Sequence, residues 1–599
     1  MSDIPKICIK RPVATTMLIL MVVVVGISSL IRINMDLFPD IEYPAALVLT
    51  RYDNASPSEV EKLVTVPIEE ALATVPGMDE MGSMSMFGYS IVFQKFHMNT
   101  DSNFNTLAMR EKISLIEKAL PEKAEKPMVM KLDLKAMPIM QVYVSGDIPL
   151  EELNNLVEDG IEGYFKRADG VASIDVMGGE KSEIGVKITQ ERLQGYGITL
   201  QQLAQILMSE NLNLPGGNIK HGNTEMVVRA MGEFKEIDDI RNVPVNLLDG
   251  SIVRLGDMAS VEKTKKEKKS ASYLNANPAI GIMITKESDA NTVQTSNSVK
   301  KQIKILQEKY PYLTFEIGYN QADFIENSIK SVANSAIVGG LLAVIVVFLF
   351  LQNIRSTLVI AMSIPVSLLA TFAMMKYRGM TLNLITLCSL TIAVGMLVDN
   401  AIVVLENIFR LRQDENSAQI AAEKGSKEIF FAVLSSTLTT VVVFLPIALS
   451  DGLTGLMFSD FCFTIIIALM TSLVVAMTAT PMFCSLLLKK GISSKYIRIG
   501  TKHYRYKYLP KFTSGIERLK EFYAQFMKGA LQKPKRVIFV CLIIFVSSIV
   551  LVAFVGGELI PKADQGNVTI SAEFPYGTSL EQKEKVLIDI SKRLEHHKE

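Results

Sequence analysis

The chain has 599 residues, 49% of them apolar, and its 62 basic and 62 acidic side chains give a formal net charge of zero. This balance offers no electrostatic attraction for nucleic acid, and no nucleic-acid partner is expected. The apolar residues are concentrated in seven runs long enough to cross a bilayer as helices. We therefore expect a multi-pass membrane protein with a polar stretch of about 300 residues after the first span. The seven runs lie near residues 12–31, 334–351, 358–375, 384–405, 429–449, 461–487 and 537–556.

Basic residues beside the spans predict the orientation of the chain, because cytoplasmic loops carry an excess of Lys and Arg. Lys6, Lys10 and Arg11 precede the first span, which lacks a clear small-residue cleavage site and is expected to be retained. We therefore expect a cytoplasmic N-terminus, and a polar stretch on the outer side of the cytoplasmic (inner) membrane. Because successive spans run in opposite directions, further basic residues lie on the same side as the N-terminus: Arg355, Arg410, Arg412, Lys424, Lys427 and the basic segment 489–536.

In the polar stretch, strand-like and helix-like patterns alternate as split βαβ units, which suggests ferredoxin-like α+β domains. The region Glu191–Thr264 is expected to be an insertion in the second unit, with turn signals at Pro215-Gly-Gly217 and Asp249-Gly250. The first unit is predicted from strands at 45–52 and 89–98 and helices at 56–73 and 101–120, with a strand at 139–145 after it. The second unit is predicted from a helix at 150–166, strands at 173–177 and 184–189, and a closing half at 279–285, 291–308 and 313–318.

The fourth apolar run contains an ionisable side chain, Asp399, followed by Asn400. A charge near the centre of a membrane helix disfavours insertion by roughly 2.5–3.5 kcal/mol and usually marks function. A cation that approached and left Asp399 would switch it between ionised and protonated forms and drive conformational cycling. The alternative is a buried structural acid hydrogen-bonded to a neighbouring helix. Glu406 falls on nearly the same face and is either an exit-side acid or a simple helix-end residue.

The basic segment before the seventh span contains an amphipathic pattern. Its apolar residues suit a helix on the cytoplasmic membrane surface, and a short helix packed on protein is the alternative. The apolar residues at helical spacing are Ile516, Leu519, Phe522, Tyr523 and Phe526.

The end of the sequence repeats its beginning at one constant offset. Pro12 pairs with Pro534 and Pro39 with Pro561, and Ser56-Pro-Ser-Glu59 falls on Thr578-Ser-Leu-Glu581. The seventh span thus reads as the first span of a second copy, so we expect the N-terminal part of a longer transporter. The alternative is a natural seven-span protein with a short tail.

Several motifs carry a family resemblance. They are Arg11-Pro12 before the first span, Gly395–Asn407 in the fourth, Thr480-Pro481 ending the sixth, and Pro561-x-x-Asp564-Gln-Gly566 after the seventh. Over all 599 residues the chain resembles the resistance-nodulation-division (RND) superfamily of proton-driven exporters. The resemblance is greatest to its hydrophobe/amphiphile multidrug branch.

The resemblance implies an α-helical membrane bundle of twelve spans in two repeats, about seven of them in this chain. It also implies a large extracytoplasmic α+β insertion of ferredoxin-like porter subdomains. A homotrimer is implied, with a possible membrane-fusion adaptor and outer-membrane channel. Carried over, the parts are: the N-terminus and first span, 1–38; first porter subdomain, 39–135; second porter subdomain, 136–182 and 270–330; docking subdomain, 183–269; spans two to six, 331–490; the basic segment with its interfacial helix, 491–533; seventh span, 534–557; and the start of a second-repeat porter subdomain, 558–599.

The function implied by the resemblance is export of hydrophobic or amphiphilic compounds by proton antiport, with a proton relay at Asp399, Asn400 and Glu406. The family pattern has two adjacent aspartates, and here the second is Asn400. The family's cationic partners lie on spans of the second repeat. The resemblance also places three apolar residues near the substrate pocket, with core packing as the alternative: Met177, Met140 and Pro138.

Two other functions stay open. Heavy-metal export by a sister branch would need soft ligands, and a run of Met78, Met81, Met84 and Met86 is the only hint; core packing is favoured because no His or Cys joins it. A non-transporter of the same fold, an accessory or receptor protein, would have a different insertion. No nucleotide-binding loop or hydrolytic residue set occurs, so we expect no ATP-driven pump, no enzyme and no cofactor.

We expect a cysteine introduced at Asn223 to react with a membrane-impermeant thiol reagent in intact cells, because residues 40–330 are predicted to lie outside the cytoplasm. A cysteine in the basic segment 489–536 is the control and should react only after permeabilisation. Labelling is read as a gel shift. Reaction of position 223 from the cytoplasmic side alone would contradict the orientation.

Overall fold

The computed structural model describes residues 4–39, 43–98, 100–133, 137–221, 224–247, 250–268, 270–351, 353–415, 417–450, 452–488, 496–499, 502–505, 509–552, 554, 568–575 and 577–594. The chain forms two compact units. The first comprises Met1–Met137, Asn291–Val293 and Gln321–Ile570, and the second Pro138–Ala290, Gln294–Asn320 and Ser571–Glu599. Asn223 and the motif Pro561–Gly566 lie outside the described residues.

Helices and strands follow one another in chain order, and most agree with the predicted elements. Up to residue 187 they are α1 (Ile4–Lys10), α2 (Pro12–Arg32), β1 (Ala45–Arg51), α3 (Pro57–Val60), α4 (Val66–Leu72), β2 (Met78–Met86), β3 (Tyr89–Phe96), α5 (Ser102–Ile116), β4 (Met128–Lys131), β5 (Pro138–Gly146), α6 (Leu150–Leu156), α7 (Glu162–Lys166), β6 (Val171–Met177) and β7 (Ser182–Lys187).

The next elements complete the insertion. They are α8 (Gln190–Tyr196), α9 (Leu200–Glu210), β8 (Asn213–His221), β9 (Thr224–Met231), α10 (Ile237–Arg241), β10 (Pro244–Asn246), β11 (Ile252–Arg254), α11 (Leu255–Met258), β12 (Ser260–Lys265), β13 (Ser272–Leu274), β14 (Asn277–Lys286), α12 (Thr292–Lys309) and β15 (Leu313–Asn320).

The remaining elements are mostly long helices. They are α13 (Gln321–Leu351), α14 (Ile354–Tyr377), α15 (Leu384–Asp414), α16 (Ala418–Ala448), α17 (Gly452–Leu487), β16 (Tyr496–Ile499), β17 (Lys502–Arg505), α18 (Leu509–Gln532), α19 (Pro534–Val552) and α20 (Leu580–Leu594).

The first unit contains an antiparallel sheet of order β2-β3-β1-β4. Its chain order, strand–helix–strand–strand–helix–strand, is the ferredoxin-like split βαβ arrangement. Strand residues Val48, Val92 and Phe96 pack with Ile68 of α4 and Met109 of α5 in one core. The strands β2 and β4 were not predicted, because β2 shows no alternation of buried and exposed residues and β4 has only 4 residues.

The second unit contains a sheet of the same kind, in which β15, β5, β14 and β6 lie side by side and antiparallel. The strands come from two halves of the chain, 138–177 and 277–320. One prediction is wrong: the strand expected at 184–189 does not join this sheet. It forms β7, which pairs with β12, because local alternation predicts a strand but not its partner.

A π-helical turn interrupts the first helix of each split unit, at Glu61–Thr65 between α3 and α4, and at Val157–Ile161 between α6 and α7. Continuous helices were predicted at both places. In each case four fully buried residues recur at every fourth position. Such a row drifts about 40° per step around an α-helix, and the wider π turn returns it to the core side. The rows are Val60, Val64, Ile68, Leu72 and Leu153, Val157, Ile161, Phe165.

Seven helices among the described residues are long and apolar enough to cross a membrane, which confirms the seven predicted spans. They are α2, α13, α14, α15, α16, α17 and α19. Together with the two ferredoxin-like sheets, they confirm the predicted fold class of a membrane helical bundle with an α+β insertion.

Helix α18 covers the amphipathic pattern of the basic segment. Four of its apolar side chains are exposed in this chain: Leu519, Phe522, Tyr523 and Phe526. The helix is therefore present as predicted, and its place on the membrane surface stays a prediction.

Hydroxyl groups between α14 and α17 make polar contacts inside the apolar bundle. The hydroxyls of Ser363 and Thr480 are 3.2 Å apart, and those of Thr371 and Thr471 are 2.9 Å apart. In a membrane, such interhelical hydrogen bonds and close packing, rather than hydrophobic burial, hold helices together.

Gly26 of α2 packs directly on the backbone of α14, because a Cβ there would lie 2.5 Å from the backbone carbonyl oxygen of Leu369. We expect Gly26→Ala to push the two helices apart and to destabilise the protein by about 1–3 kcal/mol. The measurement is the thermal unfolding midpoint of the detergent-purified protein. Gly339→Ala is the matched control, since its Cβ would meet nothing within 4 Å. Equal midpoints for both variants would contradict the packing argument.

Candidate functional site

The site is built on α15, whose start is fixed by its own sequence. Asn383 and Thr386 form a capping box, in which each side chain accepts a backbone N–H of the other at 2.9 Å. Both residues are fully buried. Such a cap satisfies N–H groups that a helix leaves free at its first turn. The helix then runs 31 residues to Asp414, and Asp399 is its middle residue.

One face of α15 packs against the neighbouring helices and the other is uncovered by the described part of the chain. The packed face carries mostly apolar residues, including Leu397, Val398, Val404 and Leu405. The uncovered face is a row of exposed residues three or four positions apart, the spacing of one helix face. These residues are Cys388, Ile392, Gly395, Asp399, Val403, Glu406 and Arg410.

Asp399 lies in the middle of this uncovered face, between Gly395 and Val403. Among the described residues, no side chain forms a hydrogen bond or an ion pair with its carboxylate. The interpretation of a structural acid held by a neighbouring helix therefore finds no partner within the described helices.

Asn400 lies on the packed face and is only 7% exposed. Its amide nitrogen donates to the Ser472 hydroxyl of α17 at 3.4 Å, and its amide oxygen accepts from the Thr437 hydroxyl of α16 at 3.3 Å. The Ser472 hydroxyl in turn donates to the carbonyl oxygen of Leu397 at 2.8 Å. The structure therefore separates the two predicted relay neighbours, with Asp399 outward and Asn400 inward.

Asp399 is also the one ionisable residue in the central parts of the seven apolar runs. Every other apolar run lacks Asp, Glu, Lys, Arg and His through its central part. Within the helices that pack against α15, the stretches free of these residues are 331–354, 356–375, 429–450 and 461–487.

Glu406, the second predicted relay acid, shares the uncovered face with Asp399 and is exposed. Seven residues separate the two acids, or about 10 Å along the helix axis. Arg410 does not bond to Glu406: it donates to Asn407 at 2.8 Å and to Glu428 of α16 at 3.3 Å. The two acids thus lie in one row, and Asn407 and Arg410, just beyond Glu406, both contact Glu428 of α16.

The three predicted substrate-pocket residues lie in the second sheet but in different surroundings. Met140 is fully buried in the sheet core. Met177 is 39% exposed and pairs with Gly281, and Pro138 is exposed at the start of β5. Their contact with substrate stays a prediction.

The methionine run forms β2 rather than one cluster. Met81 packs against the core of the first sheet, whereas Met84 is 57% exposed. Because side chains alternate along a strand, Met84 and Met86 share the face opposite to Met81.

Sequence reasoning missed the hydroxyl partners Ser472 and Thr437. The available signal was their place as polar residues inside apolar runs, but many such hydroxyls bond within their own helix. The single hydroxyl hydrogen of Thr437, for example, is shared between the Asn400 amide oxygen at 3.3 Å and the Val433 carbonyl oxygen at 2.9 Å. Only the packing of the helices shows which hydroxyls meet Asn400.

The helical bundle and the two split ferredoxin-like sheets are the architecture expected for the RND class. The chain belongs to the AcrB/AcrD/AcrF family, whose family model matches residues 4–599. The resemblance inferred from the sequence motifs is thereby confirmed.

Named relatives agree with this assignment. The chain is 27% identical over 636 residues to the swarming motility protein SwrC of Bacillus subtilis (strain 168), across 98% of this chain and 59% of SwrC. It is 33% identical over 486 residues to the multidrug resistance protein MdtC of Klebsiella pneumoniae (strain 342), across 81% of this chain and 47% of MdtC. MdtC of Shigella flexneri is 32% identical over 484 residues. The chain spans about half the length of these curated relatives.

Proposed function

We propose that the protein exports hydrophobic or amphiphilic compounds across the cytoplasmic membrane in exchange for protons, and that Asp399 carries the proton. The observation that carries the proposal is the lone carboxylate at the midpoint of α15, on a face that no described helix covers. Family membership and the name of the MdtC relatives, multidrug resistance protein, support the same substrate class.

The physical argument rests on the cost of charge in hydrocarbon. An ionised carboxylate at bilayer depth is unfavourable unless it is paired or hydrated. Binding a proton removes the charge, so the protonated and ionised forms of Asp399 favour different surroundings. A conformational change that moves Asp399 between those surroundings is thereby coupled to proton uptake and release.

Glu406 extends this argument toward one end of the helix. It lies on the same uncovered face, about 10 Å from Asp399 along the axis. In the proposed orientation it lies on the cytoplasmic side, where it would accept protons released from Asp399. Asn400 does not titrate and has no such role in this scheme.

The assembly of the whole protein is part of the proposal. We infer a homotrimer in the cytoplasmic membrane, with the insertion extracytoplasmic and its parts acting as porter and docking subdomains within the boundaries given above. An adaptor and an outer-membrane channel are the proposed partners. The grounds are family membership and the distribution of basic residues.

Heavy-metal export finds less support. The described residues offer no group of three or more His, Cys, Asp or Glu side chains that could hold a metal ion. The methionines of β2 are divided between two strand faces, so they do not converge on one site. Amphiphile export is therefore preferred.

We expect Asp399→Asn, made in the protein expressed from its complete gene, to reduce proton-driven export to background. The amide keeps the shape of the side chain but cannot exchange a proton at working pH. The assay is proton-gradient-dependent efflux of a fluorescent amphiphile from proteoliposomes. Asp414→Asn, the same exchange at the exposed end of α15, is the matched control and should retain export.

Unimpaired efflux by Asp399→Asn at equal protein content would exclude the relay role. Background efflux by both variants would point to damaged α15 folding, and the unfolding midpoints of the two proteins would show this directly.

A further inference from the structure

The side chain of Asn400 lies where three membrane helices meet. It donates to Ser472 of α17 and accepts from Thr437 of α16, while it belongs to α15. Ser472 also donates to the backbone of α15 at Leu397. All three hydrogen-bonding side chains are buried. This group is therefore a cross-link from α15 to both neighbours, one residue away from the proposed proton carrier.

Consecutive residues project about 100° apart around an α-helix. A contact that fixes the direction of Asn400 therefore also fixes the direction of Asp399. We propose that Asn400, Ser472 and Thr437 form a neutral clamp that sets the rotation of α15 and holds Asp399 on the uncovered face. Asn400 is a positioning residue and carries no proton. This inference rests on the proposed function of Asp399.

The directions of the hydrogen bonds show why position 400 is neutral. The Ser472 hydroxyl has one hydrogen, and it is donated to the carbonyl oxygen of Leu397. The group at position 400 that faces Ser472 must therefore supply a hydrogen, as the amide nitrogen does at 3.4 Å. An ionised carboxylate has no hydrogen to supply. A carboxylic acid would have one.

The first experiment compares Ser472→Ala with Thr471→Val in the protein expressed from its complete gene. Both variants remove an interhelical hydroxyl contact from neighbouring residues of α17. Ser472 contacts α15, whereas Thr471 contacts Thr371 of α14, so Thr471→Val is the matched control. The readout is the pH dependence of proton-driven amphiphile efflux from proteoliposomes, with the unfolding midpoint of each variant measured alongside.

We expect Ser472→Ala to shift the pH of half-maximal efflux by about 0.4 unit. This shift is equivalent to the free energy of an average interhelical hydrogen bond in a membrane. Thr471→Val should leave the profile in place even if it lowers stability. Along α13, α14, α16 and α17 no acid or base lies near the middle of the span. On α15 itself, Glu406 and Arg410 are about two and three turns away from Asp399. Identical profiles for the two variants would overturn the clamp.

The second experiment uses Asn400→Asp, which preserves the shape of the side chain. The introduced carboxyl group should stay protonated, because only the acid form donates to Ser472. Infrared difference spectra between the double variant Asp399→Asn/Asn400→Asp and the single variant Asp399→Asn should show a protonated-acid carbonyl band, because the two proteins differ only by the acid at position 400. The ratio of protons to exported amphiphile should stay at the wild-type value. A carboxylate band at neutral pH, or a higher proton ratio, would overturn the proposal.

The two proposals fail in different ways. If Asp399→Asn still exports in a proton-dependent manner, the proposed function fails. The infrared test of Asn400→Asp requires no transport, so it reports on the clamp even then.

Discussion

The bundle depends on one constraint: a polar group inside the membrane must find a partner within the protein. Many of its buried hydroxyls obey this constraint by bonding to backbone carbonyls or to hydroxyls of a neighbouring helix. Ser363 does both, donating to Val359 within α14 and lying 3.2 Å from the Thr480 hydroxyl. Asp399 departs from the rule, since no described residue pairs with it. An unpaired acid at the midpoint of a span costs enough free energy that it usually marks a functional residue.

The different directions of the Asp399 and Asn400 side chains follow from helix geometry. Two neighbours about 100° apart can project one into the packed face and one out of it. The inward position suits an amide, because an amide both donates and accepts, and both kinds of partner are present at Ser472 and Thr437. The outward position has no such requirement, so it can hold a group that changes its charge. In the proposed mechanism, Asn400 fixes the rotation of the helix and Asp399 exchanges the proton.

Much of this could be predicted from the sequence, and the failures have physical causes. The membrane spans were predictable, because apolar runs of this length are typical of membrane helices. The position of Asp399 inside one span was predictable too, and it stood out because an acid within such a run is costly. The π turns had a signal in the four-residue spacing of Val60, Val64, Ile68 and Leu72, which an unbroken α-helix cannot keep on one side. The partners of Asn400 and of β7 were not predictable, because they depend on which distant segments meet, and local periodicity does not report on that.

The second sheet shows why a long insertion leaves such a unit intact. Strand β14 is bordered by β5 on one edge and by β6 on the other, both from the first half of the unit. Strand β14 of the closing half therefore lies between two strands of the first half, and its pairing with both sets its register. The entropic cost of closing a longer loop grows only slowly with its length. The segment between β6 and β14 can thus build its own small core, around Leu255 and Met258, without changing the order of the strands that surround it.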